Sequence, residues 1–93
     1  AVNRPARAID YARAEAYANQ GDRPKAEEYY LRSYGADPSY FWVVADLAMF
    51  YASSDEPPEV RRRRSAPYLN QLKSEFKDEK ALPGYLTRLA RRE

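Results

Sequence analysis

Small and apolar residues return every three or four positions along much of this chain, the spacing of one helical face. The first such segment runs from about Pro5 to Gln20 and carries six alanines, Ala6, Ala8, Ala12, Ala14, Ala16 and Ala18. Alanine is the strongest helix former, and its short side chain lets neighbouring helices approach closely. Pro5 suits a first turn, where an N–H has no intrahelical partner to lose. Gly21 ends the segment, because glycine readily takes the left-handed conformation. Asp22 then caps a second helix with Pro24 in its first turn. Ala26, Tyr29, Tyr30, Ser33 and Tyr34 mark the inward face of that helix, and Gly35 with Pro38 stops it. Ser39 is placed to cap a third helix holding Phe41, Trp42, Val43, Val44, Leu47, Ala48 and Tyr51. This is the most apolar segment and is expected to be the centre of the core.

Beyond Ser53–Pro58, a stretch of turn chemistry with two successive prolines, the pattern is less regular. Leu69, Leu72 and Phe76 form a stripe inside a helical region from about Pro58 to Lys77. Pro67 lies within it, and either kinks one long helix or stands in the first turn of a new one capped by Ser65. Leu82, Pro83 and Gly84 read as a break. A last helix over Tyr85–Arg92 would then turn Tyr85, Leu86 and Leu89 inward. The pattern as a whole predicts an all-α fold of about five helices, the last of them a cap.

Ala14, Tyr17, Gly21, Asp22, Ala26, Tyr30, Ser33 and Pro38 occur in the order small, aromatic, turn, turn, small, aromatic, small, stop. In this spacing the chain resembles the tetratricopeptide repeat, a helix-turn-helix unit of about 34 residues. A second repeat starts in register: Leu47, Ala48 and Tyr51 follow Arg13, Ala14 and Tyr17 by that period. It then diverges, with Asp55, Val60 and Arg64 where Gly21, Ala26 and Tyr30 stand in the first. The first repeat departs too, since Asp10 and Arg13 replace large apolar residues; they are spaced to pair with each other. The resemblance implies a first repeat over about 7–40, a divergent second over about 41–77, and a capping segment over about 82–93, together one domain.

Repeats of this kind are binding scaffolds, and their first helices line a groove. The resemblance therefore implies that Ala8, Tyr11, Glu15, Ala18 and Asn19 face a partner, together with Trp42, Ala45, Met49, Ala52 and Ser53. Tyr11, Trp42 and Met49 would be the apolar centre, the composition of a peptide-binding hot spot. Alternatively Trp42 is a core residue or lies under the last helix. The set contains no lysine or arginine to clamp a terminal carboxylate.

Charge and composition remove other functions. The chain has neither histidine nor cysteine, which leaves no thiol nucleophile, disulfide or ordinary zinc site. There is no glycine-rich phosphate loop, and Glu27 and Glu28 point about 100° apart on a helix, so they are no acid–base pair. The expectation is a non-enzyme without cofactor or metal. Sixteen basic and fourteen acidic residues leave a net charge of +2, too little for general polyanion affinity. Arg61, Arg62, Arg63 and Arg64 are the sharpest charge feature and an alternative anion-binding site. Four successive helical positions spread around the axis, however, and Asp55, Glu56 and Glu59 dilute the field. The tyrosines Tyr29, Tyr30, Tyr34 and Tyr40 read as interhelical packing rather than a platform for bases. No apolar run is long enough to span a membrane. The chain opens on Ala1 as if mid-sequence, and the expectation is a fragment of a larger protein whose compartment is not encoded here. The partner is a protein or peptide. A second reading is an assembly element that packs against neighbouring repeats or a second copy.

Overall fold

The turn at Gly21 sets the first hairpin. In a computed structural model, which describes residues 5–92, helix α1 covers Ala6–Asn19 and α2 covers Arg23–Ala36. Gly21 sits at φ +81°, in the left-handed region. Around it the Asp22 N–H donates to the Tyr17 carbonyl at 2.9 Å and the Gly21 N–H to the Ala18 carbonyl at 3.1 Å. These two bonds satisfy carbonyls that the end of α1 would leave open. Asp22 caps α2, its carboxylate accepting from the Lys25 N–H at 3.2 Å. Helices α3 (Phe41–Ala52), α4 (Pro58–Glu75) and α5 (Leu82–Arg92) follow. Among the described residues the fold is all-helical, with five helices and no strand.

The chain divides within α3, after Val43, into two compact units. In the N-terminal unit, α1 packs along α2. Ala14 of α1 and Ala26 of α2 are both fully buried. Tyr30 of α2 keeps 5 % exposure, its ring against Tyr11 of α1 at 6.2 Å. The buried Ser33 hydroxyl donates to the Arg7 carbonyl at 2.7 Å. Gly35 does not stop α2, contrary to the sequence expectation. The helix continues to Ala36, since one glycine costs a helix only about 1 kcal/mol. The turn that follows is built on Asp37. Its carboxylate accepts from the Ser39 N–H at 3.0 Å, and its carbonyl accepts from the Tyr40 N–H at 3.1 Å. Ser39 is thus held by Asp37 two residues before α3 starts, and is not its cap.

In the C-terminal unit the buried apolar residues come from three helices. Val44, Leu47 and Ala48 of α3 and Leu72 of α4 have no exposed surface, while Leu82 and Leu89 of α5 keep 5 % and 3 %. Each such leucine contributes about 1.5–3 kcal/mol by leaving water. The Ser54 carbonyl accepts from the Arg61 guanidinium at 3.3 Å, which ties the α3–α4 connection to α4. Pro67 lies inside a single α4, so no new helix starts at Ser65, and α4 ends at Glu75 rather than Lys77. Leu82–Gly84 is no break. It is the first turn of α5, where Pro83 has no hydrogen bond to forfeit. The Tyr85 hydroxyl donates to Asp46 at 3.3 Å, joining α5 to α3.

Candidate partner-binding surfaces

Helix periodicity places Ala8, Tyr11, Glu15 and Asn19 along one face of α1. Asn19 is exposed, while Ala8, Tyr11, Glu15 and Ala18 are half-buried. Tyr11 is engaged inside its own unit. Its ring meets Tyr40 edge-on at 5.6 Å and Tyr30 at 6.2 Å, and the Arg7 guanidinium covers Tyr40 at 4.8 Å. Arg7 also forms an ion pair with Asp37, whose carboxylate is held below its ordinary value by the Arg7 hydrogen bond and then by the Ser39 N–H.

Trp42 is different. It sits in the first turn of the most apolar helix, yet 42 % of its surface is exposed. Its immediate neighbours Phe41 and Val43 are buried. The Trp42 ring stands edge-on to Phe41 at 5.2 Å, a contact that restrains the indole. Of the other α3 residues expected to face a partner, Met49 and Ser53 are half-buried. Ala45 and Ala52 are at 0 % and 1 % exposure and present no surface, a correction to the sequence expectation. They lie on the side of α3 that faces the core.

The arginine run is divided by its own contacts. Arg61 holds the Ser54 carbonyl, and Arg64 pairs with Glu56 at 3.5 Å and lies over Tyr51 at 5.9 Å. Arg62 and Arg63 are exposed. Two of the four side chains therefore brace the α3–α4 connection.

Two features escaped sequence reading. Asp10 and Arg13 form no ion pair among the described residues. The Arg13 guanidinium instead lies over Tyr29 at 5.7 Å, with Arg32 at 4.9 Å. Tyr29 itself stacks on Tyr17 at 5.5 Å and 14°, and Lys25 lies over Tyr17 at 5.8 Å. The second feature is an open cleft of about 250 Å³ lined by Leu69 and Lys73 of α4 and by Leu86, Leu89 and Ala90 of α5. The apolar stripe of α4 pointed towards half of it, and the other half comes from a helix read separately.

Among the described residues no group of three or more carboxylates is placed to hold a metal ion, and no helix is long and apolar enough to cross a membrane. No family model, curated protein or solved structure matches the chain.

Proposed function

We propose that this chain is a protein-interaction module whose α1–α2 hairpin packs as a tetratricopeptide-like repeat and whose α3 offers Trp42 as an anchor. The exposed indole carries this reading. Trp42 is 42 % exposed beside buried neighbours, and it is the aromatic one among the exposed large apolar residues Ile9, Leu31 and Trp42. Tryptophan is among the residues that most often dominate binding energy at interfaces. Its edge contact with Phe41 reduces the rotamer freedom a partner would otherwise have to quench. The repeat-like hairpin rests on the buried Ala14 and Ala26, the Gly21–Asp22 turn and Tyr30.

The test is selection of peptides from a displayed random library on the wild-type chain, followed by binding to Trp42→Ala. Loss of capture by a variant with a native circular dichroism spectrum is the expected result; equal capture by wild type and variant would sink the reading. An Arg62→Ala/Arg63→Ala chain should bind with nearly the wild-type affinity and salt slope. A steep loss of affinity in that variant would favour anion recognition instead. Mass measured against concentration separates the assembly-element reading, in which Trp42→Ala would dissolve an oligomer.

A further inference from the structure

The cleft between α4 and α5 has a chemistry of its own. Among the described residues its lining is apolar at Leu69, Leu86, Leu89 and Ala90 and cationic at Lys73. Its volume of about 250 Å³ decides what it can take. Sites for whole drug-sized molecules run to roughly 300–1,000 Å³. A dry cavity of about 150 Å³ already holds a benzene. The cleft thus has room for one large apolar side chain or two small ones, and it is open at the surface.

Lys73 gives the cleft a sign. The residue is exposed in the last turn of α4, and among the described residues no carboxylate pairs with it. The opposite wall adds no negative charge, because α5 contains Arg88 and Arg91 and no acidic residue. Charge complementarity therefore favours an occupant that covers the leucines and brings an anion to Lys73. Leu69 and Lys73 are four residues apart on one helix, about 6 Å along the axis. An apolar anchor beside Leu69 and a carboxylate beside Lys73 would be separated by one helical turn.

We propose that this cleft receives an acidic amphipathic helix of a partner protein, one apolar side chain seated on Leu69, Leu86, Leu89 and Ala90 and a carboxylate one turn away pairing with Lys73. The proposal rests on the interaction-module reading but uses residues other than Trp42, so the two can fail independently.

The probe is a short alanine-based helical peptide with one leucine and a glutamate four residues later, titrated onto the full chain. Methyl NMR of Leu69, Leu86 and Leu89 is the readout. Saturable shifts confined to these methyls are expected. Replacing the peptide's leucine by alanine should weaken binding about ten-fold or more. Replacing its glutamate by glutamine should weaken it up to about five-fold, the range of an exposed ion pair, and remove its salt dependence. Lys73→Glu is an exposed substitution that spares the core; it should lose the glutamate peptide and gain the lysine counterpart. Trp42→Ala should leave all of this unchanged. Absence of shifts, or shifts indifferent to the peptide's leucine, overturns the proposal. So does a concentration-dependent dimer that Lys73→Glu abolishes, since a second copy would then own the cleft. If the cleft fails while Trp42-dependent capture persists, only this inference falls.

Discussion

Arg7 in the first turn of α1 and Asp37 just past the end of α2 close the open end of the first hairpin as an ion pair, thirty residues apart in sequence. Asp37 also holds the Ser39 N–H, so one carboxylate joins α1, the end of α2 and the turn into α3. The direction of its titration follows. Both donors favour the charged form, so the folded chain holds the Asp37 carboxyl below its value in the unfolded chain. The stabilisation is complete above the ordinary aspartate pKa of about 3.9. It is lost as pH falls through the depressed folded value. Asp37→Asn should therefore be less stable than wild type near neutral pH, with the gap closing in acid. Thermal melts between about pH 7 and pH 2 check this. Parallel acid limbs for the two chains would contradict it.

Two glycines should respond to alanine with opposite signs. Gly21 has φ +81°, where an L side chain costs about 1–2 kcal/mol, although no neighbour would touch its Cβ. Gly35 lies within α2 without a positive φ and faces open space. Gly21→Ala should destabilise by about 1–2 kcal/mol. Gly35→Ala should stabilise by about 0.5–1 kcal/mol. Urea denaturation of both variants measures the pair.

These glycines also mark what could be read from the chain. The Gly21–Asp22 turn was legible because both ends of it are local: a residue suited to positive φ, then an N-cap oxygen three residues before its N–H partner. Gly35 and Leu82–Gly84 misled because punctuating residues only bias the backbone. Helix α2 runs through Gly35 to Ala36, and α5 starts at the buried Leu82 with Pro83 in its first turn. The spacing of Asp10 and Arg13 suggested an ion pair, yet Arg13 lies over the Tyr29 ring of α2 instead. Arg7–Asp37 and the α4–α5 cleft were invisible for a related reason. Each joins residues from separate elements, and no period along one helix encodes them. Within α3, periodicity alone left Trp42 open between groove and core, while the three-dimensional packing exposes it and buries Ala45 and Ala52.

Pro67 should be a removable cost. It is exposed in the interior of α4, lacks the N–H that a helix uses there, and crowds the carbonyl one turn back. Pro67→Ala restores that hydrogen bond. The gain is about 3 kcal/mol, less about 0.4–1 kcal/mol because the unfolded chain becomes more flexible. A higher melting temperature with unchanged far-ultraviolet dichroism is the expected outcome. An unchanged or lower one would mean that the proline shapes α4 for packing.

The close approach of α1 and α2 predicts intolerance to size. Ala14 and Ala26 have no exposed surface, so either alanine changed to leucine must displace the groups packed around it. Overpacking of this kind costs about 1–3 kcal/mol. Serine at either position is smaller and should cost less than leucine. Denaturation midpoints of the four variants give the order, and a leucine variant as stable as wild type would show that the hairpin is looser than its burial implies.

Leu47 and Trp42 lie on the same helix and should separate stability from binding. Leu47 is fully buried, and Leu47→Ala leaves a cavity, with an expected loss of about 2–5 kcal/mol. Trp42 forfeits only its covered area and its edge contact with Phe41, so Trp42→Ala should cost about 1–2 kcal/mol. If Trp42 is an anchor, the smaller loss in stability goes with the larger loss in binding. Fluorescence gives a direct check, because Trp42 is the only tryptophan in the chain. Acrylamide should quench it readily in the free chain and poorly once a selected peptide is bound. A blue-shifted emission protected from acrylamide in the free chain would show the indole already covered, and its role as an anchor would be lost.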